Sequence, residues 1–271
     1  MPELPEVETT LRGISAHIIN SPISRVNIRN PRLRWPVPEE IISHLPRQKI
    51  STISRRAKYL LLAIDSGTLI IHLGMSGSLR IVPLDTPYEK HDHFELCFSN
   101  GLALRLKDPR RFGAVLWTYE PVYKHPLLKH LGPEPLSEQF NADYLFTLSR
   151  NKTIAIKQFI MNSKIVVGIG NIYANEALFA SGIHPQRAAG KISKKRYEHL
   201  CSEAKRILKQ AIAQGGTTLK DFVDSSGKPG YFKQELLVYG RKGLACVQCQ
   251  KNLREIRQGN RTTVYCTHCQ R

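Results

Sequence analysis

Residues 58–74 read KYLLLAIDSGTLIIHLG. Two short apolar runs, KYLLLAI and TLIIHLG, flank Asp65-Ser66-Gly67, and a turn cluster between two such runs predicts an antiparallel hairpin. The layout recurs downstream, where HFELCFS and LALRLKD flank Asn100-Gly101 and FGAVLWTY follows as a further strand. Several short antiparallel strands between about residues 50 and 120 predict an N-terminal β-domain, sandwich or barrel-like. Working back from them, Pro5 suits the start of a helix, and Val7, Leu11, Ile14 and Ile18 follow at helical spacing on one face.

Beyond the strands, LGPEPLSEQF at residues 131–140 is polar and proline-bearing, a candidate domain boundary. The chain then turns helical, with IAIKQFIM, the glycine-interrupted VVGIGNIYANEALFASGIHP, and an amphipathic segment from about Ser193 to Gln214. In that segment Leu200, Ala204, Ile207, Leu208 and Ala211 share one side. The stretch TTLKDFVDSSGKPGYF, residues 217–232, is rich in Gly, Ser and Lys and is expected to be a mobile loop. The expected division is a β-sandwich domain over 1–130, a linker over 131–141, a helical domain over 142–225, and the loop end with a cysteine-rich segment over 226–271. The fold class is α+β and multidomain.

The 271 residues carry 40 Lys and Arg against 22 Asp and Glu, a net charge of +18. Such an excess favours a polyanionic partner, nucleic acid before a neutral small molecule, although ribosome-associated and membrane-surface proteins share it. No run of about 18 apolar residues occurs, and the N-terminus lacks the basic-then-apolar layout of a signal peptide. The expected location is therefore the cytoplasm, with no membrane partner.

Four of the six cysteines fall at the end of the chain, Cys246 and Cys249, then Cys266 and Cys269. In a reducing compartment that spacing means tetrahedral zinc rather than two disulfides, and four thiolates leave the metal no open position for chemistry. One structural zinc ion and no organic cofactor are expected. Cys97 and Cys201 stand alone in a strand-like and a helix-like segment and read as inert buried thiols. Within the zinc segment RQGNRTTVYC reads as a hairpin with Arg261 at its tip, where its fork could grip a phosphate. A basic ribbon that merely stabilises the terminus would look the same.

Four further features have two readings each. DPRRFG, Asp108–Gly113, could place Arg110 on a phosphate and Phe112 between bases, or the arginine could pair with Asp108 and the ring be core. Met75 in HLGMSGS is either core or an exposed wedge at a loop tip. Asn171 in GIGNIYANE, at a helix start, suits a phosphate or a tight corner with no ligand. Lys58, at the mouth of an apolar strand, is an edge residue or an active-site cation. The opening MPELPEVETT is ambiguous too: acids and proline suit a helix start. Removal of Met1 would also expose the Pro2 secondary amine, whose pKa of about 7.7 to 8.0 leaves a neutral, nucleophilic fraction beside Glu3.

Taken together, PELPEVET, RRAKYLLL, HLGMSGSL, KHDH, DPRRFG, LGPEP, VVGIGNIYANE, GIHP, GGTTLKDF, GKPGYF, VYGRKG and the four-cysteine segment, in this order, resemble the bacterial formamidopyrimidine-DNA glycosylase family over nearly the whole chain. The resemblance implies that the helical domain is a helix–two-turn–helix and the C-terminal segment a zinc-finger β-hairpin. It implies a base-excision repair monomer acting on duplex DNA with oxidised purines. Pro2 would be the nucleophile, Glu3 its acid–base partner, and Lys58 and Arg261 proton donors in β- and δ-elimination. His91, Arg110, Lys152 and Asn171 match DNA contacts, with Lys157 close enough to Lys152 to compete for that role. Met75, Arg110 and Phe112 match residues that fill the gap left by an extruded base. The endonuclease VIII branch looks like PEGPEI at its start and lacks that trio, so it is the nearest rival. A DNA-binding zinc-finger protein without activity is a second, and a zinc-ribbon RNA factor explains the charge and cysteines but not the first ten residues.

Overall fold

The computed structural model describes residues 2–215 and 236–271, and the chain divides into two compact units, 1–129 with 214–231 and 130–213 with 232–271. The expected loop at 217–232 lies outside the described residues. In the first unit helix α1, Leu4–Ile18, begins almost at once. Glu3 and Glu6 form a reciprocal capping box, the Glu3 N–H donating to Glu6 Oε2 at 2.7 Å, which satisfies amide groups that a helix start leaves orphaned. Strand β1, Ile23–Ile28, and the single turn α2, Ile41–His44, precede β2, Ile50–Arg56. Strands β3 (Tyr59–Ile64), β4 (Gly67–His72), β5 (Ser78–Pro83), β6 (Asp92–Phe98), β7 (Leu102–Lys107) and β8 (Ala114–Thr118) complete the unit.

These strands make two four-stranded antiparallel sheets, in the orders β1-β6-β7-β5 and β2-β3-β4-β8. The hairpin of residues 58–74 pairs from Tyr59 with His72 to Ile64 with Gly67. Alternation decides which side faces in. Leu60, Leu62, Leu69 and Ile71 from one sheet meet Phe94, Leu96, Phe98, Leu104 and Leu106 from the other, with Val7, Ile14 and Ile18 of α1 packed into the same core.

Strand β6 is buried on both faces. Its outward Glu95 takes a 2.7 Å bond from Arg105 Nε of β7, and both side chains are nearly inaccessible. Arg105 also donates to the carbonyls of Pro87 (3.1 Å) and Thr86 (3.2 Å) and lies 4.4 Å from the Tyr88 ring centroid. A strap of chain is thereby fastened over the sheet, and burying the charges is tolerable because each has several partners. Cys97 and Cys201 are both buried, and burial pushes the Cys201 thiol up to about 12.

At the end of β4, His72 Nδ1 accepts the Gly74 N–H at 3.0 Å. Burial first, then the positive charges of Lys58 and Arg34, hold its pKa at about 4 against a partial opposing pull from Asp108. Because the folded value lies below that of the unfolded residue, the contribution is intact above about pH 6.5. It is lost as pH falls toward 4, by at most about 1.4 kcal/mol per pH unit. Urea unfolding at pH 7, 6 and 5 should show this slope, and His72→Asn should flatten it; equal slopes in the two proteins would refute the assignment.

The second unit contains α3 (Ala142–Ser149), α4 (Ile156–Ile160), α5 (Asn171–Ala180) and α6 (Lys194–Ala213), then the hairpin β9 (Arg254–Gln258) and β10 (Arg261–Tyr265). Asn141 caps α3 by accepting the Tyr144 N–H at 2.9 Å. The helix read over IAIKQFIM is shorter than that run, because Ala155 is extended and bridges to Ala188. Helix α6 buries Leu200, Ala204, Ile207, Leu208 and Ala211, the face its sequence pattern predicts. Among the described residues no helix is long and apolar enough to cross a membrane.

Candidate active site and nucleic-acid interface

Pro2 is buried directly ahead of Glu3, which is 1% exposed and held by the capping box. Two residues into α1 beyond Glu6, Glu8 accepts from Arg12 Nε and from Arg55 Nε, each at 3.0 Å. Burial opposes its ionisation, yet the two guanidiniums outweigh that and hold its carboxyl below the usual carboxylate range. Arg55 also donates to the Ala57 carbonyl at 2.8 Å. Ala57, at φ +55°, and Lys58 form the two-residue turn between β2 and β3, so the helix start with Pro2 and Glu3 and the turn with Lys58 are fastened by one arginine. Glu8 thus does more than complement a helix dipole.

A second cluster gathers three loops of the same unit. Asp108 is fully buried; its Oδ1 accepts from Ser76 Oγ at 2.8 Å and its Oδ2 from the Gly113 N–H at 2.7 Å. Its backbone N–H donates to the His91 carbonyl at 3.0 Å, and its carbonyl lies 2.9 Å from His93 Nε2. His91 adopts φ +75°. Gly74 has φ +65°, and a Cβ there would lie 2.4 Å from Phe112 C and Gly113 N, so the loop with Met75 and the loop with Arg110 and Phe112 abut backbone to backbone. Of the two readings of DPRRFG, the ring is not core: Phe112 is 44% exposed and Arg110 Cζ lies 5.0 Å from its centroid. Met75 is half-buried.

In the second unit, Arg261 opens β10 immediately after the Gly259–Asn260 turn and is exposed. Lys157 is 1% exposed, with Nζ donating to Asn171 Oδ1 (2.7 Å), the Thr262 carbonyl (3.0 Å) and Thr263 Oγ1 (2.6 Å). Its protons are committed to tying the first residue of α5 to β10. Arg150 is similarly occupied, donating to Phe146 O, Ser149 Oγ and Ile192 O. Of these three cations only Lys152 is exposed, beside a cleft of about 380 Å³ lined also by Thr153, Ile154 and Asn162. A smaller cavity of about 170 Å³ is lined by Lys157, Gln158, Gln258 and Arg261.

Helix α5 anchors the finger. Glu176, 3% exposed, accepts the backbone N–H groups of Leu237, Val238 and Tyr239 at 2.8, 3.0 and 2.8 Å, and Asn175 Oδ1 accepts that of Val264 at 2.9 Å. Sequence reading passed over both residues. Their signal was present: two polar side chains inside a helix otherwise apolar on every side demand internal partners.

The four finger sulfurs lie within 4.8 Å of one another, with 3.9 Å between Cys246 and Cys269 and 3.4 Å between Cys249 and Cys266. Tetrahedral zinc with Zn–S bonds near 2.3 Å requires sulfurs about 3.8 Å apart, so the donor set fits. Val238, Leu253 and Val264 pack around it with Phe179. A full set of thiolates gives the metal a purely structural role.

Family models match residues 1–115 as the formamidopyrimidine-DNA glycosylase N-terminal domain and residues 131–223 as the formamidopyrimidine-DNA glycosylase H2TH domain. The chain is 58% identical to the formamidopyrimidine-DNA glycosylases of Saccharophagus degradans and Stutzerimonas stutzeri over the full length of each. It is similar to the Lactococcus lactis Fpg in complex with abasic-site DNA, with TM-score 0.91, 34% identity and 99% of both chains covered. It is also similar to MutM (Fpg) from Thermus thermophilus, with TM-score 0.89, 32% identity, and 99% of this chain and 98% of that one covered. The chain belongs to the formamidopyrimidine-DNA glycosylase family.

Proposed function

We propose that this protein is a bifunctional base-excision repair enzyme that removes oxidised purines, 8-oxoguanine and formamidopyrimidines, from duplex DNA and then cuts the strand. The observation that carries the reading is the exposed, stacked Arg110–Phe112 pair, held to the Met75 loop by the buried Asp108 carboxylate and to His91 by the Asp108 backbone N–H. A half-exposed phenylalanine under an arginine is apolar surface offered outward, and a base pair opened by extrusion supplies the stacking surface to receive it.

In this mechanism the Pro2 amine attacks C1′ of the damaged nucleotide, the glycosidic bond breaks, and the base leaves. Glu3 moves protons at the amine and the opening sugar. Lys58 is the proton donor in the steps leading to β-elimination. The resulting iminium acidifies C2′, a base takes the C2′ proton, and the freed electron pair forms the C2′–C3′ double bond as the 3′ phosphate leaves; Arg261 serves the following δ-elimination. His91, Arg110, Lys152 and Asn171 hold phosphates, and position the DNA without reading its sequence. Lys152 is preferred to Lys157 for that role because the Lys157 ammonium is spent internally. Zinc, held by Cys246, Cys249, Cys266 and Cys269, supplies shape. The protein acts as a monomer in the cytoplasm, on the nucleoid.

Duplexes carrying 8-oxoguanine opposite cytosine should be cleaved far faster than duplexes carrying thymine glycol. A preference for the pyrimidine would move the assignment to the endonuclease VIII branch, and binding without cleavage of either would favour an inactive DNA-binding protein.

A further inference from the structure

We propose that Ser76 and Asp108 are positioning residues that lock the Met75 loop to the Arg110–Phe112 loop, so that the three side chains enter the duplex as one body. The proposal rests on the reading that this trio fills the space left by the extruded base. Asp108 itself is fully buried and is offered no role in touching DNA.

Its carboxylate is satisfied by two neutral donors on two different loops, the Ser76 hydroxyl and the Gly113 amide. The serine oxygen is used a second time, accepting the Arg110 N–H at 3.2 Å. Hence the residue after Met75 is bonded both to the carboxylate and to the backbone of the wedge arginine. The Asp108 carbonyl takes the Arg111 N–H at 3.2 Å, closing the turn from which Phe112 projects.

The same motif supplies two arginines, yet no ion pair between Asp108 and either one occurs among the described residues. Two hydrogen bonds from neutral donors offset the cost of burying the Asp108 carboxyl, while an Asp–Arg pair would have consumed the guanidinium. Here the guanidinium of Arg110 stays over the Phe112 ring. The arrangement fixes the wedge through hydrogen bonds and leaves its cation available to an anion.

The test compares wild type with Ser76→Ala on two substrates. The first is single-turnover excision of 8-oxoguanine opposite cytosine, with fluorescent 2-aminopurine beside the orphan base to report insertion. The second is borohydride trapping on a single-stranded oligonucleotide carrying a preformed abasic site, where no partner base must be displaced. Ser76→Ala should slow excision about tenfold and blunt the fluorescence change, the scale of one hydrogen bond to a charged group, with trapping unchanged. Asp108→Asn should lose less than Asp108→Ala, because an amide can accept from Gly113 and donate to the Ser76 oxygen. In the Ser76→Ala background, Phe112→Ala should cost less than it does in the wild type. Equal losses on both substrates would show general destabilisation and overturn the proposal, as would no loss on the duplex. Wild-type protein that traps but does not excise would strike the functional reading, and this inference with it.

Discussion

Protein carrying even one residue ahead of Pro2 will form no borohydride-stable adduct with lesion DNA. An added residue turns the secondary amine into an amide, whose nitrogen lone pair is delocalised and cannot attack C1′ or form an iminium. Burial of Pro2 and the capping box at Glu3 leave no slack for a neighbouring group to replace it. Loss of trapping should be complete within detection, with lesion binding weakened much less. Glu3→Gln separates the proton role from the nucleophile: it should keep binding the lesion while base excision falls by about 10²–10⁴, the usual weight of a general acid–base group. Full excision by Glu3→Gln, or trapping by the extended protein, would count against the mechanism.

The second large effect concerns the finger. Cys266→Ala should release zinc, measurable by metal analysis, and reduce DNA affinity by at least tenfold while the sandwich domain stays folded by circular dichroism. A structural zinc site contributes roughly 10–16 kcal/mol to the fold it closes. Cys266 sits directly after β10, so its loss frees the strand that carries Arg261. Within the site, burial would raise the Cys266 thiol, but the N–H groups of Cys269 and His268 and the neighbouring cysteine sulfurs pull it below its ordinary value. Retained zinc and unaltered binding in Cys266→Ala would sink the role given to the metal.

The hairpin of residues 58–74 was legible because both its apolar runs alternate into one core and its turn residues stand between them. Strand β1 was not, because ISRVNI mixes charged and apolar residues without a clear period, with Ser24 and Arg25 exposed and Asn27 drawn to Tyr88 and Glu95. The zinc ligands were legible from spacing alone. The partners of Asp108 were not: the sequence offered Arg110 and Arg111 as obvious mates, and only the fold brings Ser76 across a gap of 32 positions to claim the carboxylate instead. Glu176 likewise had to wait for the fold, since its three amide donors lie more than 60 positions downstream. Polar residues buried in the middle of apolar segments announce that a partner exists without saying which.

The hairpin β9–β10 is also a mechanical object. Arg261 lies five positions before Cys266, a cantilever of roughly 17 Å at strand rise. A tilt of about ten degrees at the metal would swing its free end by roughly 3 Å, whereas a reacting group must be held to about 0.5 Å. Lys157 grips Thr262 and Thr263 next to that end, while Glu176 grips the chain entering the finger. The ribbon is a beam supported at both ends rather than one, and angular play at the zinc is not multiplied into displacement at the guanidinium.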